Sequence, residues 1–133
     1  MKKKVTRFLS MSLALMSLMT VLCFGASAEE IVPRYDGIIT LSAELDISTS
    51  GRADCYGYVR TRTGYSVDFT MELLRDGRTI KSWSDSGSGI ISISEPYYVT
   101  PDHDYQVVVS ADVYNSQGRL VDTPSTESIV ISY

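Results

Sequence analysis

The chain has 133 residues, 12 of them basic and 16 acidic, with one histidine, two cysteines and one tryptophan. That length supplies one domain's core and no second one. The net charge of −4, with four of the basic residues crowded into the first seven positions, leaves too few clustered cations for nucleic acid to be the partner.

Lys2, Lys3, Lys4 and Arg7 precede an uncharged run from Phe8 to Gly25, which closes on Ala26-Ser27-Ala28 ahead of Glu29-Glu30. This is the three-part pattern of a secretory signal peptide over residues 1–28, with cleavage expected after Ala28. The rival, an uncleaved membrane anchor, is opposed by four Ser or Thr residues within the 18-residue run and by the small-residue cleavage site at its end. Lipidation of Cys23 would need a small residue just before it and a leucine three residues before it, whereas Leu22 and Thr20 stand there. Removal of 28 residues leaves 105, with eight basic residues against 16 acidic and a net charge of −8. The expected location is extracellular, secreted or loosely associated with the cell wall. No further membrane span or wall-anchoring tail is expected, since the sequence closes on Ile129-Val130-Ile131-Ser132-Tyr133. Cys55 is then the only cysteine, so no intramolecular disulfide is expected, and the alternation around it points it inward as a small buried hydrophobe.

Residues 29–37, with Pro33, read as a flexible lead-in to a domain over 38–133. Ile39, Leu41, Ala43, Leu45 and Ile47 alternate with polar residues and predict a first strand. After a turn at Ser48–Gly51, Ala53, Cys55, Gly57 and Val59 form a small-residue inner face whose partners Tyr56 and Tyr58 point outward. Thr61–Gly64 turns the chain into a third strand with Val67, Phe69, Met71 and Leu73 inward. Asp76-Gly77 predicts a tight hairpin to a short strand at Ile80–Trp83. Ser84–Gly89 reads as a polar loop, and Ile90–Ile93 with Tyr97–Val99 as a short, bent fifth element around Pro96. Tyr105, Val107, Val109, Ala111 and Val113 mark the clearest strand, and a final strand is expected over Ser128–Tyr133. Seven strands at this spacing predict an all-β fold, a single seven-stranded immunoglobulin-like antiparallel β-sandwich following the signal peptide.

Within that plan Tyr105 holds the place of the tyrosine corner, and Cys55 and Val107 occupy the places of the usual inter-sheet disulfide, facing one another across the core. Trp83 is expected as the large core residue, filling space left by Gly57. The A-x-C-x-G-x-V strand (Ala53, Cys55, Gly57, Val59), the K-S-W-S stretch (Lys81 to Ser84) and the Y-x-V-x-V-x-A strand (Tyr105 to Ala111) resemble a family of small secreted proteins of Gram-positive, clostridia-like bacteria whose function is not established. The resemblance spans essentially the whole chain. It implies an immunoglobulin or fibronectin type III-like fold and a Gram-positive source, and no activity or functional residues.

Catalytic chemistry finds little support. His103 is the only histidine and Cys55 the only mature thiol, and the corner position of one and the core position of the other keep them apart. Asp102 and Asp104 have the i, i+2 spacing of calcium loops, but two carboxylates are too few without Asp36, Asp54 or Asp122. Arg60 and Arg62 read as solvated outward positions of a strand. The suggestive feature is tyrosine: Tyr56, Tyr58 and Tyr114, with Tyr97 and Tyr98 nearby, offer rigid contact area with a polar tip, against the simpler role of strengthening the sheet. The expected function is a secreted, non-catalytic module that needs no cofactor and binds or adheres to an extracellular glycan or protein. A structural or assembly protein of the cell envelope, acting through self-association, is the alternative.

Overall fold

Period-two alternation of apolar residues builds the fold from antiparallel strands alone. The computed structural model describes residues 35–133; the expected signal peptide and most of the lead-in, residues 1–34, lie outside them. The strands are β1 (Ile38–Ile47), β2 (Arg52–Thr61), β3 (Ser66–Arg75), β4 (Arg78–Gly87), β5 (Ile90–Tyr98), β6 (Asp104–Tyr114), β7 (Leu120–Asp122), β8 (Ser125–Glu127) and β9 (Ile131–Ser132). They form two sheets, one ordered β1-β2-β5 and the other β4-β3-β6-β7, with β8 and β9 also pairing with β6. This is an immunoglobulin-like sandwich in which β4 extends the sheet of β3 rather than that of β5, as the variable-type C′ strand does.

The core lies where the inward columns meet. Ala53, Cys55 and Val59 from β2, Val67, Phe69, Met71 and Leu73 from β3, and Tyr105, Val107, Val109, Ala111 and Val113 from β6 are all buried. Gly57 lies so close to the other sheet that a Cβ there would sit 2.9 Å from Val109 Cγ1 and 3.1 Å from Phe69 Cζ. Cys55 and Val107 are both fully buried in this core. The tyrosine corner is present: the Tyr105 hydroxyl donates to Thr100 O at 2.7 Å and accepts from Thr100 N at 3.1 Å.

Several expected elements change. The polar Ser84–Gly89 stretch is not a loop up to Gly87, because β4 keeps its pairing with β3 through Val67↔Gly87 and sends Ser84 and Ser86 to solvent. The fifth element is one unbroken strand, since β5 is an edge strand paired only with β2 and tolerates the missing N–H of Pro96 there. A bulge between Ile38 and Thr40 turns Ile38 inward and leaves Ile39 50% exposed, the reverse of strict alternation. Of the final strand expected over Ser128–Tyr133 only β9 (Ile131–Ser132) forms, and two further short strands, β7 and β8, also lie along β6. Buried Ser128 lies between β8 and β9, its hydroxyl accepting from Val107 N at 2.9 Å in place of a backbone carbonyl.

Trp83 is not the central core residue. It lies half-buried on edge strand β4, edge-on to the Tyr97 ring at 6.4 Å between centroids. The two rings close the side of the sandwich between β4 and β5, and the space above Gly57 is filled by Phe69, Val109 and Met71 instead.

Candidate functional site

The outward column of β2 follows from the inward one. With Ala53, Cys55, Gly57 and Val59 buried, Asp54, Tyr56, Tyr58 and Arg60 must face solvent on the other side of the same strand. β2 is the central strand of its sheet, held on both sides, so this column is rigid. Tyr58 stands between Ser42 of β1 and Ser92 of β5, and Tyr56 between Glu44 and Ser94. Neither tyrosine has an aromatic cross-strand partner; among the described residues the aromatic pairs are Trp83–Tyr97 and His103–Tyr105. The small serines stand on both sides of Tyr58 and on one side of Tyr56, and both rings are partly exposed. Tyr98 lies on the same outer face, 74% exposed, opposite Arg52.

Tyr114 does not join this group. It ends β6 in the other sheet, paired with Ser66, and points out of the opposite face of the sandwich. There its hydroxyl is held protonated above the ordinary tyrosine range, by desolvation first and then by the charges of Asp68 and Asp112. Tyr97 faces inward against Trp83 and is likewise not part of the exposed set.

At one end of the sandwich the β3–β4 hairpin meets the corner before β6. Asp76 and Gly77 take φ values of 49° and 81°, the left-handed pair that the tight hairpin requires. Asp76 accepts from Asp104 N at 2.9 Å and lies 2.6 Å from His103 Nδ1. Its carboxyl is held below the usual value, by the Asp104 backbone bond first and His103 second. Asp104 itself accepts from Ser132 Oγ at 2.6 Å, while Asp102, at φ 69°, donates its N–H to Tyr133 O. Asp36 and Asp122 meet each other instead, through the Asp36 N–H and the Asp122 carboxylate at 2.9 Å. Among the described residues no three His, Cys, Asp or Glu side chains gather as metal ligands; Asp102 lies in the turn and Asp104 opens β6. Cys55 is 1% exposed and its thiol is pushed up to about 11 by burial, with Asp54 adding to the effect. It is no nucleophile for His103.

The other end holds what the sequence did not reveal. The β2–β3, β4–β5 and β6–β7 connections surround an open hollow of about 550 Å³, lined by Arg62, Thr63, Tyr65, Ser88 and Ser116 among others. Its walls are tied together: Thr61 N donates to Gly89 O at 2.8 Å, Gly89 N to Thr61 Oγ1 at 2.6 Å, and Arg62 N to Gly37 O at 2.8 Å. The Asn115 side chain fixes the third turn by accepting from Gln117 N and Arg119 N, both at 3.0 Å. The available signal was the parity of Arg60 and Arg62, which continue the column of Tyr56 and Tyr58.

Fold and surface together define an immunoglobulin-like sandwich module. The sequence matches no family model, and a search of curated proteins gives no significant match. Among solved structures, a CARDB domain from Pyrococcus furiosus, determined in complex with di-metal ions, is similar over 77% of this chain and 99% of its own length, at 12% identity and a TM-score of 0.43.

Proposed function

We propose that this protein is a secreted, non-catalytic binding module that holds an extracellular glycan on the outer face of β1-β2-β5. The observation that carries the reading is the pair Tyr56 and Tyr58: partly exposed, two residues apart on the central strand, and without aromatic partners, Tyr58 between two serines and Tyr56 between Glu44 and Ser94. Cross-strand aromatic stabilisation would place a second ring beside each tyrosine, and none stands there. Partly exposed rings on a strand paired along both edges instead offer stacking surface, with the hydroxyls of Ser42, Ser92 and Ser94 beside them to meet sugar hydroxyls. The experiment is co-sedimentation of the purified protein with isolated cell wall and insoluble polysaccharides, beside a Tyr56→Ala, Tyr58→Ala double variant of unchanged melting temperature. Binding by the parent and none by the variant supports the reading, and equal binding by both removes it.

A second reading, self-association within the cell envelope, draws on Ile129 and Val130, which are 74% and 57% exposed beside β6. A mass that rises with concentration in sedimentation equilibrium, and returns to that of the monomer in Ile129→Ser, Val130→Ser, would favour it.

A further inference from the structure

We infer that the glycan carries a single carboxylate at one end, received by Arg62 in the loop-end hollow with Arg60 beside its path. The inference rests on the glycan reading proposed above and adds the chemical class and direction of the ligand.

Charge along β2 is graded. At one end Arg52 is neutralised by Asp54 at 3.0 Å, and Asp46 lies opposite Asp54 on β1. Glu44 stands beside Tyr56. Beyond Tyr58 the column turns basic: Arg60 lies between Thr40 and Ile90, and Arg62 follows at the rim of the hollow. Among the described residues the close contacts between basic and acidic side chains are Arg52–Asp54 and His103–Asp76, so neither Arg60 nor Arg62 has a carboxylate partner there. Six residues at about 3.4 Å each put Arg62 about 20 Å from Tyr56, a length that a short oligosaccharide spans.

The hollow itself is a formed recess. Its volume of about 550 Å³ falls within the range of small-molecule sites; hydrogen bonds between Thr61 and Gly89 join two of its three connections, and Asn115 braces the third from within. Arg62 uses its backbone for those bonds and leaves its guanidinium uncommitted to any described residue. A guanidinium fork matches a carboxylate in two parallel hydrogen bonds, while the hydroxyls of Thr63, Ser88 and Ser116 suit the rest of a sugar ring. A carboxylate on every ring is disfavoured, because it would place negative charge beside Glu44 and Asp54 on a protein that is already acidic. One terminal acid, directed away from those groups, fits the gradient.

The test is calorimetric titration of the purified protein with tetrasaccharides of glucose, xylose and N-acetylglucosamine, each with and without one glucuronic acid at either end. For at least one chain the acid-bearing form should bind about tenfold tighter or more, as a charge-assisted pair provides, with the preference shrinking as salt rises. Arg62→Gln should abolish the preference at unchanged melting temperature, and Arg62→Lys should keep part of it. Tyr56→Ala, Tyr58→Ala should weaken both forms alike and leave the preference standing. Equal affinity for neutral and acidic forms, or a preference that survives Arg62→Gln, overturns this inference and leaves the glycan reading intact. Binding of neither form overturns both.

Discussion

Replacing Gly57 by alanine tests the closest approach of the two sheets. The added Cβ would lie 2.9 Å from Val109 Cγ1, 3.1 Å from Phe69 Cζ and 3.3 Å from Met71 Sδ. Met71 is unbranched and can yield, but Val109 is β-branched with one stiff torsion and sits on β6, which is paired on both sides. Relief therefore requires the sheets to separate slightly, and overpacking of this kind costs about 1–3 kcal/mol. Gly57 has no positive φ, so alanine regains about 0.5–1 kcal/mol by restricting the unfolded chain. The net loss is about 0–2.5 kcal/mol, centred near 1 kcal/mol, where a domain of this size loses roughly 4–8 °C in melting temperature. Calorimetry of Gly57→Ala, Val109→Ala and the double variant separates the terms. The double variant should be more stable than the sum of the single losses predicts, by about 1 kcal/mol, because removing the valine methyls makes room for the new one. A raised melting temperature for Gly57→Ala, or strictly additive losses, would refute the argument.

Tyr105→Phe should cost about 1–3 kcal/mol in chemical denaturation, since the buried hydroxyl both donates to Thr100 O and accepts from Thr100 N, which it leaves unpaired. Asp76 has its carboxyl pKa lowered in the folded state, so the stability it adds is present above the unfolded value and is lost as pH falls through the folded one. Melting curves taken below about pH 4 should therefore fall less steeply for Asp76→Asn than for the parent, and equal slopes would contradict this. Cys55, buried with its thiol raised to about 11, should resist thiol reagents at neutral pH and react only at the rate of unfolding; fast labelling of the native protein would show that the core opens.

Residues whose environment is set by period-two burial were legible in the sequence. β2, β3 and β6 fall where alternation places them, and the Asp76-Gly77 turn and the Tyr105 corner follow from turn chemistry and position. Polar edge segments were not legible, because their pairing is decided by a neighbour and not by their own pattern. Ser84 and Ser86 read as loop residues until β3 is beside them, and Ser128 reads as the start of the final strand until its hydroxyl is seen accepting from Val107 N. The bulge at Ile39 inverts one residue of an otherwise regular strand, and nothing local announces it. Trp83 was assigned to the core on size alone, whereas its place on the outermost strand makes it a seal at the side. For the candidate site, the outward direction of Tyr56 and Tyr58 was legible from a single strand. The separation of Tyr114 from them was not, because it depends on the chain crossing to the second sheet between β2 and β3. The hollow is built from three connections far apart in sequence, so only the tertiary fold assembles it.

β2 thus serves two ends through its two faces. Its inward column of Ala53, Cys55, Gly57 and Val59 is small enough to let the opposite sheet approach, and its outward column carries the tyrosines and the uncommitted arginines. Pairing on both sides by β1 and β5 keeps the strand straight while the two faces meet different surroundings. If the outer face binds a glycan as proposed, packing and binding are separable. Substitutions at Tyr56, Tyr58 or Arg62 should change ligand affinity at constant melting temperature. Gly57→Ala should lower the melting temperature while leaving affinity unchanged at temperatures where the domain remains folded. If Gly57→Ala instead weakened binding in the folded protein, the outer face would have to be a deformable surface tuned from within, and its rigidity could no longer support the stacking argument.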